Sequence, residues 1–174
     1  DVIKELSNQS RYTMKPTNMS GERTLATTNL LLDNTTAYYY MYAKGVKTGF
    51  TDEAGRCLIS TASYNGYNYL SIVTGCKNDL NNRIEFVETA NLFRWAFNNF
   101  EFKTVADVTT PVAEITVEKS LDTDFVSLYV EKGFTSVLPK DADDSTIRIK
   151  PKPISQAVDA PIKKGQILGT ADII

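Results

Sequence analysis

A helical spacing of apolar residues marks the middle of the chain. Between residues 82 and 99 the large apolar side chains recur every three or four positions, the spacing of one buried helix face. The residues of this face are Phe86, Ala90, Phe93, Phe97 and Phe100, and Leu92, Trp95 and Ala96 widen it. We therefore predict a helix from about Asn82 to Asn99 that lies against a sheet.

The segment before this helix has the pattern of a β-hairpin. Asn65-Gly66 is a strong two-residue turn signal, because both central positions of a type I′ turn need positive φ. The turn joins residues 56–64 to residues 67–76. The register then pairs Tyr64 with Tyr67, Ala62 with Tyr69, Thr61 with Leu70, Ile59 with Ile72, and Leu58 with Val73. Both faces are mostly apolar, so we predict that both are covered.

A third strand is predicted just before the hairpin, over residues 37–50. This stretch, AYYYMYAKGVKTGF, is rich in residues that favour a pleated surface. Its four tyrosines are interpreted as strand residues on two faces, with a stacking platform as the alternative. With a short turn at 52–55, the sequence predicts three antiparallel strands in a row.

The first 32 residues carry weaker signals. Residues 1–9 place Val2, Ile3 and Leu6 on one helical face, and residues 11–32 are polar, with turn signals around Pro16 and 18–21. The opening helix has no capping residue before it. We interpret this as a truncated start, with a frayed native terminus as the alternative.

Short runs rich in Val, Ile and Thr replace the helical pattern after Phe102. We predict strands at 112–118, 125–130, 137–138, 147–150 and 166–171. Turn residues separate them at 141–144, 151–153 and 164–165. Several short strands without a helical period predict a small β-sandwich or barrel. We place a domain boundary near 101–104, so that 1–102 and 103–174 form separate domains.

Composition excludes several kinds of chemistry. The chain has 174 residues, a formal net charge of −2, two cysteines and no histidine. A Ser-His-Asp triad cannot be built without histidine, and Cys57 and Cys76 lack the spacing and number of a usual zinc site. The charge balance argues against nucleic acid as a partner. No run of about 18 apolar residues predicts a membrane span.

The segment 45–62, GVKTGFTDEAGRCLISTA, resembles the active-site strand of the serine D-alanyl-D-alanine carboxypeptidases, the low-molecular-mass penicillin-binding proteins of peptidase family S11. In that family the segment reads roughly G-x-K-T-G-x-T-x-x-A-G-x-C/N-L-I-x-x-A. Lys47-Thr48-Gly49 matches the KTG motif. The order of a KTG strand, a hairpin, a long helix and a β-rich tail also agrees.

The resemblance implies an α+β fold. We expect the C-terminal portion of a β-lactamase/transpeptidase-like domain, an antiparallel sheet with a packed helix, followed by a small all-β sandwich domain. It also implies catalytic roles for Lys47, Thr48, Gly49 and the backbone N–H of Phe50, the last as an oxyanion donor. Lys47, Thr48 and Arg83 would bind substrate. For Arg83, pairing with Glu85 or Asp79 is the alternative.

Two motifs of the family are absent from this sequence. No serine has lysine three positions later, so S-x-x-K is missing. Ser63-Tyr64-Asn65 has the form of the S-x-N motif but follows KTG instead of preceding it, and we reject it. We therefore expect both motifs in an upstream N-terminal half of the catalytic domain, and we expect this chain by itself to be inactive.

The partners implied by the resemblance are peptidoglycan pentapeptides ending in D-Ala-D-Ala, and β-lactams, with no cofactor and no metal. The parent would act outside the cytoplasmic membrane, associated with it through a segment that is not in this chain. Two alternatives are a non-catalytic cell-wall-binding module and a β-lactamase-related acyl hydrolase. The β-rich tail argues against a β-lactamase.

The hairpin register gives a prediction about the two cysteines. It places Cys57 opposite Thr74, with Cys76 as a diagonal neighbour. Diagonal Cβ atoms lie about 7 Å apart, whereas a disulfide needs about 3.8 Å. We expect two free thiols in the unfolded, unreduced chain. A thiol titration that finds none would contradict this prediction.

Overall fold

A computed structural model of the chain describes residues 2–174. The chain divides into two compact units, of which the first ends at Asn98 and the second runs from Asn99 to Ile174. Sheet predominates in both, and helices are few. The α+β class expected from the sequence is therefore confirmed.

The first unit is built on a three-stranded antiparallel sheet with the order β3-β4-β5. Its strands are β3 (Ala43–Thr51), β4 (Gly55–Tyr64) and β5 (Tyr67–Cys76), and the long helix is α2 (Ile84–Asn99). Earlier in the chain lie α1 (Val2–Ser7), β1 (Arg11–Met14), β2 (Arg23–Ala26) and a 3₁₀ turn over Leu30–Leu32.

The hairpin predicted at Asn65-Gly66 is confirmed. Both residues have positive φ, 48° and 83°, as a type I′ turn requires. All five predicted cross-strand pairs are present. Near the far end of the hairpin the register shifts between Arg56 and Leu58, so that Arg56 pairs with Cys76. The expected pairing of Cys57 with Thr74 is therefore wrong, although both thiols are free.

One face of the sheet packs against α2. The core cluster combines Leu31 and Tyr40 with β-strand and helix residues, namely Ala43, Leu58, Ala62, Phe86, Ala90 and Phe93. The predicted helix face is thus confirmed at its centre. The predicted widening by Leu92 and Trp95 is wrong, since both are largely exposed. They lie on the side of α2 turned away from the sheet.

The opposite face of the sheet is not covered by the residues that the structure describes. Ile59, Leu70 and Ile72 point to this face and are exposed. The prediction that both faces are covered is therefore wrong for residues 2–174. The first unit has one layer of helix on one side of its sheet, and apolar residues remain at the surface of the other.

The strand predicted over 37–50 begins only at Ala43. Before it, the backbone N–H of Tyr40 donates to the carbonyl of Leu31 at 3.0 Å, and the Asp33 side chain accepts from the N–H of Thr35 at 3.0 Å. These local bonds wrap the chain around the 3₁₀ turn instead of extending it. Tyr40 stacks on Phe93 with ring centroids 6.1 Å apart. Its role is core packing.

Two further corrections concern the first 26 residues. A hairpin of β1 and β2 forms within residues 11–26, where only turn signals and no strands were predicted, with Arg11 paired to Ala26 and Met14 to Arg23. It was missed because neither strand has a buried residue, so no alternation marks it. Helix α1 forms where it was predicted, but its apolar face is exposed.

The second unit consists of seven short strands in three small sheets. They are β6 (Phe100–Ala106), β7 (Pro111–Glu118), β8 (Phe125–Tyr129), β9 (Phe134–Pro139), β10 (Ile149–Pro153), β11 (Ala157–Asp159) and β12 (Gly169–Ile173). The sheets have the orders β11-β7-β8, β6-β9 and β10-β12. A 3₁₀ turn spans Asp144–Thr146.

Sequence patterns located most of these strands but missed β6 and β11. Pro151–Pro153, predicted as a turn, belongs to β10. Proline is compatible with such a strand because β10 pairs only with β12 and lies at a sheet edge. Ala106, Ile115, Val117 and Leu168 form the buried positions of this unit.

The packing of α2 predicts the effect of two neighbouring substitutions. Phe93 is 1 % exposed and Leu92 is 45 % exposed. Phe93→Ala should lower the free energy of unfolding by about 3–5 kcal/mol, because it leaves a cavity in the core. Leu92→Ala, the matched control, should cost much less. Urea denaturation followed by the fluorescence of Trp95 would measure both, and equal effects would contradict this packing.

Candidate active site

The KTG residues lie on β3, an edge strand that pairs with β4 and with no other strand among residues 2–174. A bulge at Lys44 and Gly45 precedes them. Two β4 hydroxyls bind the carbonyls of the bulge: Ser60 donates to Gly45, and Thr61 donates to Lys44 at 3.3 Å. The bulge thereby sets the register in which Lys47, Thr48 and Gly49 pair with Ile59, Leu58 and Cys57.

The start of β3 needs a glycine for packing. Gly45 has φ of 98°, and an added Cβ would lie only 2.8 Å from the Ser7 hydroxyl oxygen at the end of α1. A side chain there would be strained and would collide with α1. The end of α1 and the start of β3 are therefore fitted to each other through Gly45.

Gly49 is different, because nothing in the described chain requires a glycine there. An added Cβ would meet only the Cβ of Cys57, at an ordinary 3.8 Å, and φ lies outside the left-handed region. The space above Gly49 is open. A substrate backbone could approach the strand at this position as the sequence predicts.

Lys47 and Thr48 point to opposite faces of the sheet, as neighbours on a strand must. Lys47 is exposed, lies on the face of Ile59, and donates from Nζ to the Thr48 carbonyl at 2.5 Å. Thr48 lies on the α2 face beside Leu58. Its hydroxyl is 2.6 Å from that of Thr28, so Thr48 is fixed by a second polar residue.

Arg83 has a buried anionic partner. Its Nε donates to Glu85 Oε1 at 2.7 Å, and its Nη2 is 2.6 Å from the same oxygen. Glu85 is 1 % exposed and Arg83 is 18 % exposed. An arginine at a helix N-terminus opposes the macrodipole by about 0.3–1 kcal/mol, and Glu85 offsets this cost. The guanidinium also lies 4.8 Å from the ring centroid of Phe86.

Arg56 lies between the end of the KTG strand and the ion pair of Arg83. It was not predicted as a site residue. It pairs with Phe50 across β3 and β4, and its guanidinium lies 5.3 Å from the ring centroid of Phe50. On its other side, Nη1 is 4.0 Å from Glu85 Oε1. The signal was available, since a turn at 52–55 places residues 50 and 56 opposite each other.

The structure therefore brings the predicted residues together in two groups. Thr48 and Phe50 share the α2 face, and Phe50 is linked through Arg56 and Glu85 to Arg83. Lys47 and Gly49 belong to the other face. Thr28 and Arg56 are the neighbours that sequence reasoning missed. Glu85 was foreseen, because pairing of Arg83 with Glu85 was the alternative given for that arginine, and this ion pair is present.

The two cysteines lie beside this site, Cys57 opposite Gly49 and Cys76 opposite Arg56. Burial raises the pKa of the Cys76 thiol above its usual value, and the charge of Glu85 adds to this effect. Because the thiolate is the reactive form, a raised pKa keeps Cys76 unreactive near neutral pH.

Two family models match the chain. Residues 1–78 match the family described as D-alanyl-D-alanine carboxypeptidase, and residues 100–174 match the C-terminal domain of penicillin-binding protein 5. Residues 1–78 therefore belong to the D-alanyl-D-alanine carboxypeptidase family. The resemblance read from the KTG segment is thereby confirmed.

Relatives of known activity agree with this assignment. D-alanyl-D-alanine carboxypeptidase DacC of Escherichia coli is 30 % identical over 74 % of this chain and 31 % of its own length. DacA of the same organism is 29 % identical over 97 % of this chain and 40 % of its own length. DacF of Bacillus subtilis is 28 % identical over 76 % of this chain and 33 % of its own length. The chain thus spans only about a third of the length of these carboxypeptidases.

Solved structures share the fold. Penicillin-binding protein 5 of Haemophilus influenzae superimposes with a TM-score of 0.61 at 23 % identity, covering 98 % of this chain and 46 % of that protein. Penicillin-binding protein 3 of Streptococcus pneumoniae superimposes with a TM-score of 0.60 at 18 % identity, covering 96 % of this chain and 42 % of that protein. The predicted transpeptidase-like portion followed by a β-rich domain is confirmed as a fold.

The buried carboxylate of Glu85 leads to a prediction about stability. Removing one partner of a fully buried ion pair costs roughly 3–5 kcal/mol. Since Arg83 keeps some contact with water, Glu85→Ala should lower the free energy of unfolding by about 3 kcal/mol. Glu88→Ala, an exposed glutamate on the same helix, is the control and should have little effect. Denaturant unfolding measures both, and similar values for the two variants would contradict a structural role for Glu85.

Proposed function

We propose that this chain is the C-terminal part of a serine-type D-Ala-D-Ala carboxypeptidase, which removes the terminal D-alanine of peptidoglycan stem peptides through an acyl-enzyme. The observation that carries the proposal is the KTG segment itself. It lies on an edge strand, and the space beside Gly49 is open although the packing of the chain would allow a side chain there. Membership of the carboxypeptidase family supports the same reaction.

The residues of the KTG strand have distinct proposed roles. Lys47 supplies a cation, or a base when unprotonated, on the exposed side of β3. Thr48 offers a hydroxyl already oriented by Thr28, and Gly49 lets the peptide approach. The backbone N–H of Phe50 stabilises the oxyanion of the tetrahedral intermediate. Arg83 binds the terminal carboxylate of the peptide with the guanidinium edge that Glu85 leaves open.

The nucleophile is proposed to lie outside this sequence, on an upstream segment with the S-x-x-K and S-x-N motifs. Covalent catalysis needs a hydroxyl activated by a neighbouring base. Ser60 is fully buried and donates to Gly45, and the Ser63 hydroxyl donates to the Asn68 side chain at 2.6 Å. Both hydroxyls are thus already engaged in holding strands together.

The two parts of the chain have different proposed tasks. The first unit, which ends at Asn98, is proposed to be the end of the penicillin-binding catalytic domain, and the second unit, Asn99–Ile174, a small β domain without a catalytic group. We place the protein on the outer face of the cytoplasmic membrane, where its peptidoglycan substrate and β-lactams meet it. None of the helices within residues 2–174 has the length and apolar character needed to cross a bilayer.

Penicillin labelling tests this function. The 174-residue chain should not be labelled by penicillin, because it lacks the serine nucleophile, whereas the longer protein with its upstream segment should be. In that protein Lys47→Ala should slow acylation by about 10²-fold or more, as expected for an acid, base or electrostatic group. Arg83→Ala should reduce peptide turnover more than penicillin acylation.

Lys44→Ala is the matched control for Lys47→Ala, because Lys44 lies on the same strand three residues earlier. It should acylate at the normal rate. Labelling of the 174-residue chain would show that one of its own serines is the nucleophile. Full activity of the Lys47→Ala protein would show that the KTG match is a coincidence.

A further inference from the structure

The excess positive charge around Glu85 points to an anion site. Arg56 and Arg83 are 15 % and 18 % exposed, and the single carboxylate between them is 1 % exposed. One negative charge cannot neutralise two guanidinium groups. Glu88, on the next part of α2, is exposed to solvent. A largely buried cation without a counter-charge of its own favours a nearby anion.

The Glu85 carboxylate pairs mainly with Arg83. Both short contacts to its Oε1, at 2.7 and 2.6 Å, come from Nε and Nη2 of Arg83. Arg56 approaches the same oxygen only to 4.0 Å, which is beyond hydrogen-bond distance. Arg56 is therefore the guanidinium of the pair that lacks a hydrogen-bonded carboxylate among the residues that the structure describes.

One donor of Arg56 is unpaired. Its Nε is shielded from solvent and has no hydrogen-bond acceptor within residues 2–174. Buried N–H groups of arginine are normally paired, and leaving one unpaired is unfavourable. The side chain lies between the Phe50 ring and Glu85. Oε2 of Glu85 is likewise buried and has no hydrogen-bond partner within residues 2–174, so the Arg56–Glu85 contact leaves polar atoms unpaired on both sides.

The position of Arg56 says which anion it would meet. Its partner across the sheet is Phe50, directly after Gly49, and it lies on the same sheet face as Thr48. An anion beside Arg56 would therefore lie next to the end of the KTG motif. In the proposed reaction the group that must be bound there is the carboxylate of the terminal D-alanine.

We propose that Arg56 is a second carboxylate-binding arginine, which acts with Arg83 to select peptides that end in a free carboxylate. This inference rests on the proposed carboxypeptidase function and adds a specificity residue to it. Glu85 acts as a positioning residue, because it separates the two guanidinium groups and fixes Arg83. A substrate with a C-terminal amide would lose the charge that Arg56 pairs with.

Ligand binding to the longer protein tests this without requiring turnover. N-acetyl-D-alanine carries the carboxylate, and N-acetyl-D-alaninamide is the same molecule without the charge. Arg56→Gln should weaken binding of the carboxylate ligand about tenfold or more, the effect of losing one charge-assisted hydrogen bond. Binding of the amide should not change. Isothermal titration calorimetry measures all four affinities.

Two further variants complete the test. Arg94→Gln is the control: Arg94 is an exposed residue of α2, and its guanidinium lies 5.3 Å from the ring centroid of Tyr40. This variant should bind both ligands like the unsubstituted protein. Arg56→Lys keeps the positive charge and serves as the test if the glutamine variant does not fold. Its affinity for the carboxylate ligand should fall several-fold, because lysine lacks the planar set of donors, and its affinity for the amide should not change. Unchanged carboxylate binding in the folded Arg56 variants would overturn the inference and leave Arg56 as a structural neighbour of Glu85.

Penicillin labelling of the same proteins separates this inference from the proposed function. If the unsubstituted protein is labelled but Arg56 variants bind the carboxylate normally, the carboxypeptidase proposal stands and the role of Arg56 falls. If no protein is labelled, the carboxypeptidase proposal falls, and the calorimetry still decides whether Arg56 binds a carboxylate.

Discussion

The burial of one face of α2 against β4 is the interaction on which the first unit depends. Leu58 and Ala62 of β4 and Phe86 and Phe93 of α2 belong to one core cluster, and Leu31 and Tyr40 close its edge. Because β4 is the central strand, it holds β3 on one side and β5 on the other. The position of the KTG residues therefore follows from how β4 is packed.

The bulge at the start of β3 determines how the KTG residues are placed on β4. Ser60 and Thr61 bind the carbonyls of Gly45 and Lys44, so the register of β3 on β4 is fixed before the motif begins. With the register fixed, Thr48 must face α2 and Lys47 must face away from it. A slip of one residue would exchange the two side chains and remove the arrangement proposed for catalysis.

The charged cluster beside the site shows how stability and function share residues. Glu85 is needed to bury Arg83 at the start of a helix, where a lone arginine would be unfavourable. The same carboxylate leaves one edge of Arg83 open and leaves Arg56 at 4.0 Å, without a close contact to it. Arg56, Arg83 and Glu85 are thus proposed both to stabilise the fold and to form the binding site.

The sequence by itself determined the features that depend on nearby residues. Asn65-Gly66 specifies its own turn, and a two-residue turn leaves one register for the hairpin; the period of Phe86, Ala90 and Phe93 specifies which face of α2 is buried. The KTG segment identified the family because its motif residues are contiguous. These signals need no knowledge of distant parts of the chain.

Only the tertiary structure decided the features that depend on distant contacts. The tyrosines at 38–42 favour a strand, yet their segment curls because the carbonyl of Leu31 offers Tyr40 a partner. The register shift beside Cys57 changes which residue faces Cys76. The link from Phe50 through Arg56 and Glu85 to Arg83 joins residues of β3, β4 and the start of α2. Sequence patterns show which residues share one face of an element, whereas the packing of elements decides which faces meet.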